Sequence, residues 1–530
     1  MGLFACGDAV ATDTGATTGS VDPSTSLPTT GNEPTTAGTP DDTGTTTGDG
    51  SSGGSTFAST SSSESGVETS SSSGTESTSA DAGTTADETT SGGLCVSDTS
   101  ADPAPWSVSR GIPDESLTAW WLGGGASSIV YMLMWEGVLD LGGGPVDTGV
   151  GSHVHIASHS PSGEFQWAEH IGGTSNQISK WKAASDCAGN IVVAGQFWGD
   201  ISTQGVHLVA SPGLEYDEGN PFPTVDWFVM KFAPDGALLW AERFGDDRSQ
   251  RLHGLTLLSD GTIVVSGTVL GTLELGGEPI VAGEIVRKAA LAAFTPDGAF
   301  VWQRSFESTV GVDLPVIDAG GDDRISVIAQ VSAPVDLGGG VLPDDGEPEL
   351  VAQYAADGGH LWSQRWQLAT HKLRGVQTDA AGGAVYSGLT TVNEAFTEFI
   401  MRHDDEGAFA WVRAYELEPD MDELVNIEGV LAGDEIVVLG GFIGSVDVGG
   451  GVFDSPPPLR SLFLARYDLA GQHLASEMHA ASDGVYPSSL AYGPDHELVL
   501  GGAFTGTLDL GGGPLQSLGD RDLFVHRFAP

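Results

Sequence analysis

The chain is poor in positive charge: its 530 residues include 20 Lys and Arg against 72 Asp and Glu, a formal net charge of −52. A nucleic-acid-binding surface needs basic residues to displace counterions from phosphates, and adsorption to an anionic lipid surface needs them as well. We therefore expect no nucleic-acid partner and no electrostatic membrane binding. No apolar run reaches the roughly 18 residues that a membrane-spanning helix requires. The acidic composition favours solubility and cationic or basic partners.

Cysteine is also scarce, because Cys6, Cys95 and Cys187 are the three in the chain. Their spacing does not offer the four clustered ligands of a structural zinc site. The start of the chain reads MGLFACGD, with a small residue directly before Cys6. This stretch resembles the lipobox of bacterial lipoproteins, in which the cysteine is acylated. The resemblance implies a lipid on Cys6 and contact with a membrane through that lipid alone.

A working lipoprotein signal has a basic segment and an apolar stretch before its cysteine, and neither precedes Cys6. Either the signal lies upstream of Met1 or the likeness is accidental. If Cys6 carries lipid, Cys95 and Cys187 remain, and exported proteins often join two such cysteines. We predict a Cys95–Cys187 disulfide, with two free thiols as the alternative.

Residues 8–100 consist almost entirely of Thr, Ser, Gly, Asp, Glu, Pro and Ala, and the first basic residue of the chain is Arg110. Such a stretch cannot bury enough apolar surface to offset its backbone entropy. We predict three parts: a lipobox-like N-terminus at 1–7, a disordered linker at 8–100 and a folded domain at 101–530.

The folded part repeats one pattern, an aromatic residue, then a turn glycine, then Trp. The best copy is WFVMKFAPDGALLWAERFG at 227–245. Both arms alternate apolar and polar residues around an Asp-Gly turn, which predicts a β-hairpin. Upstream of each copy a β-branched run, such as IVVSG at 263–267, predicts a second hairpin. The tryptophans of the pattern are Trp167, Trp240, Trp302, Trp362 and Trp411, and a sixth copy has Ala475 instead.

Two hairpins make a four-stranded antiparallel sheet with an exposed hydrophobic face, and radial stacking of such sheets buries that face. The sequence contains seven upstream hairpins but ends one strand short, whereas PWSVSRGI at 105–112 is a spare strand with Trp106 in the Trp position. We therefore predict an all-β fold: a seven-bladed β-propeller whose N-terminal strand closes the last blade. The six tryptophans have a structural role in the blades.

A glycine phrase recurs between the hairpins, as in VLDLGGGPV at 138–146 and TLDLGGGPL at 507–515, and DLFVHRFAP follows at 522–530. This sequence pattern, over residues 101–530, resembles the bacterial seven-bladed propeller repeat known as the SBBP repeat. The resemblance implies blades and a surface or binding role. The alternative family is the quinoprotein-like propeller, which also has a blade Trp, but no cofactor residue carries over from it because no matching motif is present. The glycines predict a sharp turn, because a phosphate-binding loop needs a following Lys or helix N-terminus.

The connections between hairpins are long on one face of the ring, and binding residues tend to lie on such loops. The largest irregularity is the segment 199–227, where aromatics beside carboxylates suit a sugar or a cationic peptide. The alternative is a loop that folds on its own apolar residues. Its candidate ligand-binding residues are Trp198, Tyr216, Asp217, Glu218, Phe222 and Trp227.

His153, His155 and His159 alternate along one strand as metal ligands do, but His155 and His159 occupy aromatic positions of the repeat. We predict no metal site, no catalytic residue and no cofactor, and the sequence leaves calcium open. Carboxylates are too abundant for any pair of them to indicate acid–base catalysis.

Two functions remain. The first is a monomeric, extracytoplasmic surface lipoprotein, anchored at the cell surface or outer membrane or secreted, whose propeller binds a glycan or a protein. The alternative is a polysaccharide hydrolase or lyase with its site at the mouth of the central channel. Ionisable residues clustered at one mouth would favour the enzyme, and small and apolar lining would favour the binding module.

Overall fold

The computed structural model describes residues 104–112, 117, 121–125, 127–151, 153–173, 178–217, 220–283, 285–346, 348–366, 372–392, 395–415, 424–493 and 497–529. These residues form strands, turns and loops, and no helix among them could span a membrane. The predicted linker at 8–100 and the residues Cys6 and Cys95 lie outside this part of the chain.

The described strands build seven four-stranded antiparallel sheets, the blades of a propeller. Each blade is numbered along the chain, and its strands are called first to fourth in the order in which they pair. Blade 1 has the strands Trp121–Gly125, Ser128–Trp135, His153–His159 and Phe165–Ile171. Blade 2 has Ile178–Ser185, Ile191–Phe197, Asp226–Phe232 and Leu238–Phe244. Blade 3 has Gln250–Leu257, Ile263–Val269, Lys288–Phe294 and Phe300–Phe306.

The remaining blades follow the same order. Blade 4 has Asp313–Ala319, Ile325–Gln330, Glu349–Tyr354 and His360–Arg365. Blade 5 has Lys372–Thr378, Ala384–Val392, Ala395–His403 and Phe409–Tyr415. Blade 6 has Leu424–Ala432, Glu435–Asp447, Ser461–Asp468 and His473–Ala480, with Val452–Ser455 paired to the end of its second strand. Blade 7 has Gly484–Tyr492, Leu498–Thr505, Asp522–Arg527 and Trp106–Arg110.

Blade 7 combines strands from both ends of the folded part, which confirms the predicted closure of the ring. Trp106 lies opposite Arg527, and Ser109 lies opposite Phe524. The first strand of every blade contacts the first strands of both neighbouring blades, all the way round the ring. The predicted seven-bladed propeller is therefore confirmed.

Buried apolar side chains of the described residues form seven clusters, one between each pair of neighbouring blades. Between blades 2 and 3, for example, Val192 and Val229 of one sheet meet Leu252 and Ile263 of the next. The second and third strands are buried on both faces because a blade packs on either side of them. This double burial explains why their sequences are continuous apolar runs, so the alternation predicted for the arm that forms the third strand is wrong.

The recurrent Trp joins each blade to the next. The Trp167 Nε1–H donates a hydrogen bond of 2.8 Å to the Pro234 carbonyl in the turn of blade 2. The ring lies on Gly236 of that turn, where φ is 84° and a Cβ would lie 2.7 Å from the indole. Only glycine tolerates both that backbone and that contact. The same hydrogen bond joins Trp106 to Pro161, Trp240 to Pro296, Trp302 to Ala356 and Trp411 to Leu469.

The geometry also explains Ala475, which occupies the Trp position of blade 6. A Trp on one blade packs against the tight turn between the third and fourth strands of the next blade. In blade 7 those strands are Asp522–Arg527 and Trp106–Arg110, which come from opposite ends of the domain and are not joined by such a turn. A Trp at position 475 would have no turn to contact, and Ala475 is exposed.

The glycine phrase is a structural turn between the second and third strands. Asp140 Oδ1 accepts hydrogen bonds from the Gly142 and Gly144 amides, at 2.8 and 3.0 Å. Gly143 lies so close to Phe165 of the same blade that a Cβ would be 2.8 Å from its ring. Asp336 and Asp509 accept equivalent bonds in blades 4 and 7. The phrase therefore folds back onto the outer edge of its own blade.

Six short two-stranded ribbons lie in the connections between second and third strands: Val138–Asp140 with Pro145–Asp147, Asp200–Thr203 with Val206–Val209, Leu214–Asp217 with Asn220–Pro223, Thr272–Leu273 with Ile280–Val281, Val335–Asp336 with Val341–Leu342, and Thr507–Leu508 with Leu515–Gln516.

Candidate functional site

The first strands surround a central cavity of about 470 Å³. This volume is within the range of small-ligand sites in proteins, roughly 300–1,000 Å³. Small residues such as Gly124, Ala184 and Gly375 form part of the wall. Larger polar and aromatic side chains line it too: Trp121, Lys182, His253, Asp318, Arg374 and Tyr492.

Three blades place basic residues at equivalent positions of their first strands, in the sequences KWK (180–182), RLH (251–253) and KLR (372–374). In each blade the first residue of the triplet lies opposite the sixth residue of the second strand. The pairs are Lys180 with Gln196, Arg251 with Thr268 and Lys372 with Leu389. The first strand begins at the face with the long connections, so these residues lie towards one mouth of the channel. The basic mouth, as we call it, consists of Lys180, Lys182, Arg251, His253, Lys372 and Arg374.

Positive charges crowd together in this mouth. Burial, with smaller contributions from the charges of Lys180, Arg251, Lys182 and Arg287, lowers the pKa of His253 to about 4. Burial also lowers the pKa of Lys182, and Lys180 adds to that effect. The Lys182 side chain reaches channel water, yet protein surrounds it, so its charge is less well hydrated than in bulk solvent.

The arginines of the mouth have carboxylate partners, whereas two lysines do not. Glu215 Oε2 lies 3.5 Å from Arg251 and 3.8 Å from Arg287, and Arg374 donates a 2.8 Å bond to Glu398. Within the described part of the chain, neither Lys180 nor Lys182 forms an ion pair. The side of the mouth made by blade 2 therefore carries two cations without a fixed counter-charge from the described part of the chain.

Glu215 comes from the irregular segment 199–227, which forms two ribbons instead of a glycine phrase. Its second ribbon pairs Leu214–Asp217 with Asn220–Pro223 and brings Glu215 to the arginines of blade 3. Trp198 and Phe222 are half-buried. The predicted ligand contacts Tyr216 and Asp217 lie on this ribbon, where only their backbone is described, and Glu218 lies outside the described residues.

Trp227, predicted as a ligand contact, is instead fully buried in the core between blades 2 and 3. It is the second residue of the third strand, which is buried throughout, and its large apolar side chain fills the space between two sheets. Cys187, in the first turn of blade 2, is disulfide-bonded. Its pairing with Cys95 stays a prediction, because Cys95 lies outside the described residues.

Asp318 is the one carboxylate among the described residues that line the cavity. It lies on the first strand of blade 4 and accepts a 2.8 Å hydrogen bond from the Thr378 amide. Burial raises its pKa to about 7, although backbone hydrogen bonds from Thr378 and Ala319 oppose that rise. Its described lining therefore combines one partly protonated acid with two cations, Lys182 and Arg374, and a neutral His253.

The histidines of blade 1 are packed with aromatic rings and with one another. His159 stacks on Tyr131, with ring centroids 5.6 Å apart, and meets Phe165 edge-on. His153 and His155 are buried, and their ring centroids lie 6.4 Å apart. Among the described residues, no group of three or more His, Cys, Asp or Glu side chains is arranged to hold a metal ion.

Sequence reasoning missed the basic mouth, although a signal for it was present. In a chain with 20 Lys and Arg, three alternating basic triplets occur at the same position of three repeats. The alignment on Trp and glycine drew attention to the outer strands, where the repeat is strongest. Aligning the first strands on their pairing with the second strands would have shown the triplets.

No protein-family model matches the chain, and no curated protein resembles it in sequence. Solved structures with a similar fold include the Pan2 WD40 domain of Neurospora crassa, at 10% identity and a TM-score of 0.35, covering 79% of this chain and 89% of that one. A PL25 ulvan lyase has 10% identity, a TM-score of 0.41, and coverages of 77% and 92%. A puromycin hydrolase has 10% identity, a TM-score of 0.34, and coverages of 77% and 62%. Similarities this distant say nothing about activity.

Proposed function

We propose that the propeller is a binding module that takes part of a glycan or protein into its central channel from the face with the long connections. The observation that carries this proposal is the cavity itself: most of its wall consists of small or apolar residues, which favours a binding module, and a few charged and aromatic side chains lie among them. A rigid ring with such a cavity at its centre suits ligand binding, because the lining residues are already in place before the ligand arrives.

We further propose that the module works outside the cytoplasm, held by a lipid on Cys6. The disulfide at Cys187 supports this, since disulfides persist mainly in oxidising compartments. Growing the native host with an alkyne-tagged fatty acid tests the anchor. The label should enter the wild-type protein and be lost in Cys6→Ser, with Cys187→Ser as the control that keeps it. Equal labelling of Cys6→Ser would reject the anchor.

The binding proposal is tested by closing the channel. Gln377 lines the cavity, so Gln377→Trp should fill part of it and weaken binding to hits from a glycan array and a surface-protein library by about tenfold. Leu361→Trp is the matched control, because Leu361 is exposed on the fourth strand of blade 4. Phe222→Ala tests the 199–227 loop in the same assay. Binding that survives a closed channel would contradict the proposal.

A second function, a polysaccharide lyase, has support from the ionisable residues of the basic mouth. Lowered pKa values at His253 and Lys182 would let either act as a base beside the cations. A hydrolase has less support, since its usual chemistry needs a pair of carboxyl groups and the described lining offers Asp318. Incubation with uronic acid polymers should generate ultraviolet-absorbing unsaturated ends if the protein is a lyase. If the absorbance does not rise with any polymer, the lyase is rejected and the binding module is the remaining function.

A further inference from the structure

We infer that the channel ligand is an acidic glycan, whose carboxylate or sulfate group lies on Lys180 and Lys182 at the basic mouth. The inference rests on the proposed binding function and names the ligand class for the same site. A chain with a net charge of −52 places six of its basic residues, counting His253, near the start of the first strands of three blades. Three of them, Lys182, His253 and Arg374, line the cavity.

The charge balance of the mouth points to a missing anion. Glu215 serves Arg251 and Arg287, and Glu398 serves Arg374, so these cations have fixed partners. Lys180 and Lys182 lie two residues apart on one strand, repel each other and have no carboxylate partner among the described residues. Like charges held two residues apart on one strand are unfavourable unless an anion joins them. A ligand anion at this position would relieve the repulsion.

Location adds to the argument. Lys182, His253 and Arg374 come from blades 2, 3 and 5, yet all three line the same cavity. A ligand that enters the channel therefore meets cations on more than one side. The surrounding acidic surface would repel polyanions elsewhere, so the positive potential concentrates at this entrance. At neutral pH His253 is uncharged and can donate or accept a hydrogen bond instead of adding charge.

An aromatic residue in the same cavity favours a sugar over an acidic peptide. Trp121 of blade 1 lines the wall together with the basic residues, whereas Tyr492 of blade 7 is the last residue of its first strand and lies towards the turn face. An aromatic face offers a flat apolar surface with a polar edge, which suits the C–H face of a pyranose ring. An acidic sugar has both such a face and an anionic group in one compact unit. The cavity of about 470 Å³ has room for a short stretch of such units.

Binding of the full chain to a glycan array, followed by calorimetry, tests the inference. The calorimetric probes are a galacturonate trisaccharide, its methyl ester, a sulfated trisaccharide and a polyglutamate peptide. We expect the array hits to be acidic glycans. In calorimetry, the ester should bind at least about tenfold more weakly than the acid, because esterification removes the charge. The sulfated probe distinguishes a sulfate site from a carboxylate site.

Lys182→Gln should weaken binding of the acidic trisaccharide or its sulfated counterpart by about tenfold and leave the ester unchanged. Lys180→Gln is a second variant with the same expectation, in case the first does not fold. Arg466→Gln is the matched control, since it also removes one positive charge but pairs with Glu435 at the turn face of blade 6. We expect this control to stay within twofold of the wild type.

The outcomes separate this inference from the proposed function. Equal binding of acid and ester, blocked by Gln377→Trp, would overturn the acidic ligand while the channel stays a binding site. Binding of polyglutamate alone, lost in Lys182→Gln, would keep the anion site but overturn the glycan. If the channel binds a neutral glycan or a protein of the library but no acidic glycan, the inference fails and the binding function stands. If nothing on the array or in the library binds in the channel, both proposals fail.

Discussion

The fourth strands at the outer edge of the ring repeat nearly the same residues, whereas the first strands at the inner edge differ from blade to blade. At the outer edge, Trp167, Trp240 and Trp302 each contact the turn of the next blade in the same way. At the inner edge, Lys180 and Arg251 hold positions that Asp313 holds in blade 4. Residues that repeat from blade to blade hold the ring together, whereas residues that differ between blades give the channel mouth its charge. The two edges should therefore respond differently to mutation.

The largest expected effect is at the outer edge. Trp302→Ala should lower the free energy of unfolding by about 2–3 kcal/mol, because a half-buried indole and its hydrogen bond to Ala356 are lost. Chemical denaturation measures this change, and glycan binding should be unaffected. Ala475→Trp is the informative counterpart: we expect a change below about 0.5 kcal/mol, since no turn is there to receive the ring. A large gain in stability from that Trp would contradict the explanation of Ala475.

A smaller expected effect is the pH dependence of stability that Asp318 causes at the inner edge. Asp318 has a pKa near 7 in the folded protein and an ordinary value of 3.8 in the unfolded chain. Between these values the folded state binds the extra proton, so stability falls as pH rises from about 4 to about 7 and is constant above that range. Glu349, also near 7, acts in the same direction.

Asp318→Asn should remove roughly 1–2 kcal/mol of this pH dependence, a discounted value because the carboxyl group reaches channel water. Thermal unfolding at pH 5 and pH 8 measures it. The difference in melting temperature between the two pH values should shrink in the variant, whereas Asp336→Asn, on an exposed glycine phrase, should leave it as in the wild type. An unchanged difference in Asp318→Asn would show that this group titrates normally.

The glycine phrase offers a smaller test of the outer edge. A Cβ on Gly277 would lie 2.6 Å from the Phe300 ring, so Gly277→Ala should cost about 1 kcal/mol of stability. Ligand affinity should not change, because the phrase lies away from the channel. Gly283→Ala, where the nearest atom to a Cβ is 3.9 Å away, is the control with little expected effect. Loss of ligand binding in Gly277→Ala would mean that the phrase takes part in the site.

The smallest expected effect is a change in ligand affinity at the inner edge. Glu215 competes with any ligand anion for Arg251 and Arg287. Glu215→Gln should therefore raise the affinity for an acidic trisaccharide about threefold, as measured by calorimetry. Glu307→Gln, which removes an exposed carboxylate paired with Lys288, is the control and should have no effect. Weaker binding in Glu215→Gln would indicate that Glu215 holds the arginines in their binding position.

Much of the fold could be predicted from local patterns. The turn glycines, the β-branched runs and the recurrent Trp each describe one hairpin, and hairpins are local structures. The position of Trp106 was enough to predict the closed ring, because it supplied the strand that the last blade lacks. The burial of Trp227 was not predicted. Its aromatic side chain beside a long loop looked like a ligand contact, and only the packing of blade 3 over it shows otherwise.

By itself, the sequence determined the blade: its four strands, its turns and the number of copies that close the ring, because hydrophobic runs and glycine at positive φ act over neighbouring residues. The tertiary structure alone decided that Lys182, His253 and Arg374 line one cavity. These residues are far apart in the chain, and only the circular arrangement of the first strands brings their side chains into a shared space.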